Sequence, residues 1–77
     1  MKQHRDVVAG DVLGYLLTKY YEGGHDFFFR SKHLTGIGYD IRVIGSVGCM
    51  ELCRSNWILK INNSTPYLWR TNFDKFK

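Results

Sequence analysis

Long apolar runs are missing from this sequence. No stretch approaches the ~20 consecutive apolar residues that a membrane-spanning helix needs, so no membrane partner is expected. No apolar run follows Lys2 and Arg5, so no secretory signal peptide is expected either. Cysteine is scarce: Cys49 and Cys53 are the two, four residues apart. On a helix that spacing does not suit a disulfide, and it is not a CxxC metal spacing. Small buried thiols in a reducing cytoplasm are the expectation. His4, His25 and His33 share no ligand spacing with one another or with the cysteines, so no metal is expected. Proline occurs once, as Pro66. No repeat, linker or low-complexity segment is present.

Catalytic patterns are missing too. The glycines of TGIGY (35–39) fit neither GxGxxG nor a P-loop. No Ser-His-Asp or Cys-His arrangement marks an activated nucleophile. Asp40 and Glu51 lie about three helical turns apart, which suits capping and surface charge better than paired acid–base work. These absences argue against an enzyme, a cofactor and a small-molecule substrate.

What is present suits one small domain over residues 1–77, too short for two cores. Aromatic residues make up 16% of the chain and can fill much of that core, because each buries a large area. Charge is uneven. Residues 1–26 carry three Lys/Arg against four Asp/Glu, and residues 27–77 carry eight against three. That asymmetry predicts a basic face suited to a polyanion.

The stretch that organises the chain is DIRVIGSVGCMELCR, residues 40–54. Ile41, Ile44, Gly48 and Leu52 recur at helical spacing on one face. Asp40 is the expected N-cap, and Asn56 follows as a residue that tolerates left-handed backbone. Val43, Val47, Met50 and Arg54 make a second row on the far side. A surface helix carries one apolar stripe. The second row therefore points either to a further layer of the same domain or to a partner.

Elsewhere, residues 6–22 read as an amphipathic helix with Ala9, Val12, Leu16 and Tyr20 inward. Gly10 and Gly14, four apart, suggest either close approach of another element or simple tolerance. Residues 27–30 read as a short strand, and residues 31–36 as a short helix with Ser31 as N-cap and Leu34 as buried anchor. Residues 57–61 and 67–72 alternate around NNSTP and predict a β-hairpin. Trp57, Leu59, Ile61, Tyr67, Trp69 and Thr71 are expected inward. Lys60, Arg70 and Asn72 are expected outward, with Ile58 and Leu68 as apolar exceptions. The fold class is α+β.

A short helix, a glycine turn and a second helix make a helix-turn-helix, here SKHLTGIGYDIRVIGSVGCMEL. A strand before it and the hairpin WILKINNSTPYLWRT after it resemble the winged-helix family. The chain looks most like the small single-domain winged-helix proteins of archaea and their viruses. The resemblance covers nearly the whole chain and implies three helices, a short strand and a C-terminal hairpin wing.

It implies a small transcriptional regulator that binds double-stranded DNA, plausibly as a homodimer. Arg42, Val43, Ser46, Val47 and Met50 would face the major groove from helix 40–54. Asn62, Asn63, Ser64 and Thr65 would form the wing tip. Ser31 and Lys32 would start the supporting helix, near a phosphate. Arg30, Lys60 and Arg70 complete the phosphate candidates, and Arg42 is the candidate for a base edge. The helix offers few hydrogen-bonding side chains to bases, and the wing tip lacks Arg and Lys. The alternative is a protein-interaction or dimerisation module that uses Val43, Val47 and Met50 and does not read DNA sequence.

Overall fold

The computed structural model describes residues 4–76. The first apolar stripe forms helix α1, Arg5–Gly23, which buries Val8, Ala9, Val12, Leu16 and Tyr20. Gly24 ends it at φ 79°, a left-handed conformation that costs glycine little. Its N–H donates to the Tyr20 carbonyl at 2.7 Å. Gly10 and Gly14 face open space, so they admit no neighbouring element.

Strand β1 is only Phe28–Phe29, shorter than the expected 27–30. The next segment, Ser31–Ile37, is a 3-10 helix with Leu34 buried. Its N-cap is Arg30, not Ser31. The Arg30 N–H donates to His33 Nδ1 at 3.1 Å, so a ring nitrogen satisfies the exposed backbone donor.

The organising helix begins where Asp40 predicts. The Asp40 carboxylate accepts the Arg42 N–H at 2.8 Å. The helix then runs in three pieces: α2 (Ile41–Val43), a π-helical turn (Ile44–Cys49) and α3 (Met50–Arg54). Periodicity predicted a uniform helix, and the π turn corrects it. Gly48 is buried against α1, where an added Cβ would come within 2.9 Å of Val12 Cγ2 and 3.3 Å of Val8 Cγ1. The glycine lets two backbones approach closely at the point where the helix departs from α geometry. Ile44, Gly48 and Leu52 are buried as expected, whereas Ile41 stays exposed at the first turn. Asn56 takes φ 65° just past the helix end, as anticipated.

The hairpin strands are β2, Ile58–Lys60, and β3, Trp69–Thr71, shorter than predicted. The sheet is three-stranded and antiparallel, in the order β1-β3-β2. Trp69 and Thr71 are fully buried, as the alternation requires. Of the inward set predicted for β2, Trp57 packs against the core, but Leu59 and Ile61 do not. Ile58 pairs with Thr71 and Leu59 with Arg70, and antiparallel partners share a face. Ile58 therefore goes in, while Leu59 and Ile61 come out. Lys60 pairs with buried Trp69 yet stays exposed, its ammonium 4.8 Å from the Tyr67 ring centroid. Trp57 precedes the strand, half-buried, with its ring 4.6 Å from that of Phe76.

The last residues form a short 3-10 helix, Phe73–Phe76, which sequence patterning did not reveal. Asp26 holds it. Its carboxylate accepts the N–H groups of Phe73 (2.8 Å) and Asp74 (3.2 Å) and the Thr71 hydroxyl (2.8 Å). Tyr20 donates to Asp74 from α1. One buried cluster joins α1, the helix 41–54, the sheet and Phe73. Among the described residues the architecture is α+β: α1, the Ser31–Ile37 helix and the interrupted helix 41–54, a small antiparallel sheet, and the closing 3-10 turn.

Candidate functional site

A groove of about 890 Å3 opens between the start of the Ser31–Ile37 helix, the helix 41–54 and the β2–β3 loop. Arg30, Lys32 and Arg42 supply positive charge, and Ser31, Ser46 and Thr65 supply hydroxyls. Ile41, Met50, Pro66 and Tyr67 form an apolar floor, and Gly45 completes it. None of the residues lining it is acidic.

Each wall has a local cause. Arg30 Nη1 donates to the Pro66 carbonyl at 2.9 Å, which ties the loop to the start of the 3-10 helix. Asn62 holds the same loop from inside, its Oδ1 accepting the Leu68 N–H at 2.9 Å. Arg42 extends from the first turn of the helix, with Nε 3.6 Å from the Asp40 carboxylate and its side chain 90% exposed. An ion pair so open to water contributes little and leaves Arg42 free to exchange partners. The Ser46 hydroxyl donates to the Arg42 carbonyl at 2.5 Å, so it is half-spent within the helix.

Within the π turn, Gly45 and Ser46 line the groove. An added Cβ at Gly45 would lie 3.0 Å from Ser31 Oγ. Cys49, in the same turn, is fully buried, and Ser31 is its polar neighbour. Burial pushes the Cys49 thiol up to about 12, and the Ser31 hydrogen bond offsets only part of that. The thiol is therefore protonated packing, not a nucleophile. Just before the helix, the Tyr39 hydroxyl donates to Asp11 of α1 at 2.5 Å. That bond, more than burial, raises the Tyr39 pKa.

Of the residues expected to bind DNA, the groove brings together Arg30, Ser31, Lys32, Arg42 and Ser46. Lys60 sits beside the groove, over the Tyr67 ring that lines it. Asn63 is exposed in the loop. Arg70 lies on the outer face of the sheet, its guanidinium 6.0 Å from the Phe28 ring centroid. Val43 and Val47 are half-buried and line no part of the groove, whereas Met50 lines it and packs on the core. Sequence reasoning missed Pro66 and Tyr67 as walls. The lone proline beside a polar turn was the available signal, but which way the loop folds depends on Arg30, thirty-six residues away.

Among the described residues, no group of three or more His, Cys, Asp or Glu side chains could hold a metal ion, and no helix is long and apolar enough to cross a membrane. Comparison with family models, curated proteins and solved structures finds no match to this chain. The geometry of the groove therefore carries the functional argument alone.

Proposed function

We propose that this chain is a DNA-binding protein of winged-helix layout, a small transcriptional regulator. The observation that carries this reading is the groove, whose lining includes Arg30, Lys32 and Arg42, the hydroxyls of Ser31, Ser46 and Thr65, and no acidic residue. Most protein–DNA hydrogen bonds go to phosphate and sugar, and lysine, arginine and serine make them well. The strand order β1-β3-β2 and the loop beside the helix support the layout. In this reading the helix 41–54 faces the major groove and the 61–68 loop serves as the wing. Arg42 is the side chain for a guanine edge. In this reading the candidate phosphate contacts outnumber the single base-edge candidate, Arg42, so binding is expected to be driven mainly by charge and to depend steeply on salt.

Gel-shift titrations of a mixed-sequence duplex at two salt concentrations test the reading. Lys32→Ala is expected to weaken binding to all sequences and to lower the salt slope by about one unit. Arg42→Ala is expected to weaken binding and relax any sequence preference. No binding at low salt removes the proposal.

The apolar floor favours a second reading, in which the same groove docks a protein. Ile41 is 44% exposed there, and Met50 and Tyr67 are half-buried. Self-association in light scattering, lost on Ile41→Ser together with Met50→Ser, supports that reading. A monomer at all concentrations removes the homodimer from it.

A further inference from the structure

A second cavity, of about 340 Å3, opens between α1, β1 and the Ser31–Ile37 helix and shares no lining residue with the groove. We infer that it is a binding site for a small planar aromatic carboxylate. The inference does not rest on DNA binding.

The walls are mainly aromatic. Tyr15, Phe27, Phe28 and Phe29 line the cavity, with Leu34 alongside. Phe27 and Phe29 have ring centroids 6.0 Å apart and planes tilted by 55°, so they offer a face and an edge at once. Phe28 is 60% exposed, with the Arg70 guanidinium 6.0 Å from its ring centroid. Flat rings pack on such surfaces by offset stacking or edge-to-face contact. The volume lies at the lower end of the range for small-molecule sites. It suits one or two fused rings better than a nucleotide or a peptide.

The polar groups set the charge of the ligand. Lys19, His25 and His33 line the cavity, and none of its lining residues is acidic. His33 Nδ1 accepts the Arg30 N–H, so that nitrogen carries no proton. The neutral ring therefore holds its proton on Nε2, which remains a donor. His25 has the opposite tautomer, because its Nδ1 lies 2.8 Å from the Asp26 carbonyl and must donate. Lys19 Nζ stands 5.6 Å from the Tyr15 ring centroid and 3.8 Å from Glu22. That ion pair is exposed on both sides, so a ligand carboxylate can replace Glu22. One ammonium and one imidazole N–H beside a stack of rings recognise an anion attached to an aromatic system.

The probe is 2-naphthoate, titrated into the full chain and followed by 1H–15N NMR. Saturable shifts are expected at Gly23, Phe27, Phe28 and His33, with Gly45 and Ser46 unmoved. Lys19→Gln is expected to weaken binding about tenfold, as loss of a charge-assisted hydrogen bond does. The neutral 2-naphthalenemethanol is expected to bind correspondingly more weakly. Phe28→Ala, at an exposed position, is expected to weaken both probes while the rest of the spectrum stays unchanged. The inference is overturned if no saturable shift appears at millimolar naphthoate, or if the shifts fall on the groove. Equal affinity for acid and alcohol, or indifference to Lys19→Gln, also overturns it.

Discussion

Helix α1 and the helix 41–54 lie against each other, and both carry glycines four or three residues apart, yet the glycines mean opposite things. At Gly10 and Gly14 an added Cβ meets nothing within 4 Å. At Gly48 it meets Val12 and Val8 of α1, and at Gly45 it meets Ser31. The first helix is continuous and its exposed glycines only lower its propensity. The second is interrupted by a π turn, and its glycines are where other elements touch it. A π turn within an α-helix is a common mark of a functional position. Here the interrupted helix forms one wall of the candidate groove, while α1 serves as the platform behind it.

Substitutions can break this contrast. The largest effect is expected from Ile44→Ala, which empties a fully buried position in the π turn. A loss of about 2–5 kcal/mol in denaturant unfolding would show that the interrupted helix is packed as firmly as α1. A loss well under that range would mark the π turn as loosely held. Gly48→Ala comes next. Its methyl must displace the β-branched Val12, a stiff side chain, so a loss of about 1–3 kcal/mol is expected. Gly14→Ala should go the other way, stabilising the protein by up to about 1 kcal/mol in the same unfolding assay. Equal signs for the two glycine variants would erase the distinction between the helices.

The ionisation of Cys49 contributes nothing at neutral pH and becomes visible only in alkali. The folded state holds this thiol at about 12, against an ordinary value of 9.0. Below pH 9 both states keep the proton. As pH rises from 9 towards 12 the unfolded chain ionises first, so it binds fewer protons and the folded state loses stability. Tyr39, also raised, adds loss of the same sign above its ordinary 10.0. Urea unfolding of Cys49→Ala across this range is expected to show a shallower decline than the parent. An identical decline would mean that the thiol is not sealed beneath Ser31.

Much of α1 was legible in the sequence, because Ala9, Val12, Leu16 and Tyr20 follow one period and bury together. Asp40 and Asn56 marked the ends of the second helix, since both act through local backbone. Trp69 and Thr71 obeyed period two. The β2 register did not, because Trp57 lies outside the strand and the exposed Lys60 shares the pairing of buried Trp69. Polarity at Lys60 pointed to the wrong face. The π turn was hidden because periodicity does not mark it; Gly48, packed against Val12 of α1, lies within it. The closing 3-10 helix was hidden because its cap, Asp26, lies 47 residues before Phe73. In the groove, charge made Arg30, Lys32 and Arg42 legible. The walls at Pro66 and Tyr67, and the departure of Arg70 to the outer sheet face, required the tertiary arrangement.

In the proposed function, DNA binds in the groove walled by the interrupted helix. Amide chemical-shift mapping of the 15N-labelled protein against a short mixed-sequence duplex at low salt tests it most directly. Shifts concentrated at Ser31, Lys32, Arg42, Gly45, Ser46 and Thr65, with the exposed face of α1 around Gly10 and Gly14 unmoved, are the expected result. Absence of shifts, or shifts centred on Phe28, Leu59 and Ile61 of the outer sheet face, would contradict it.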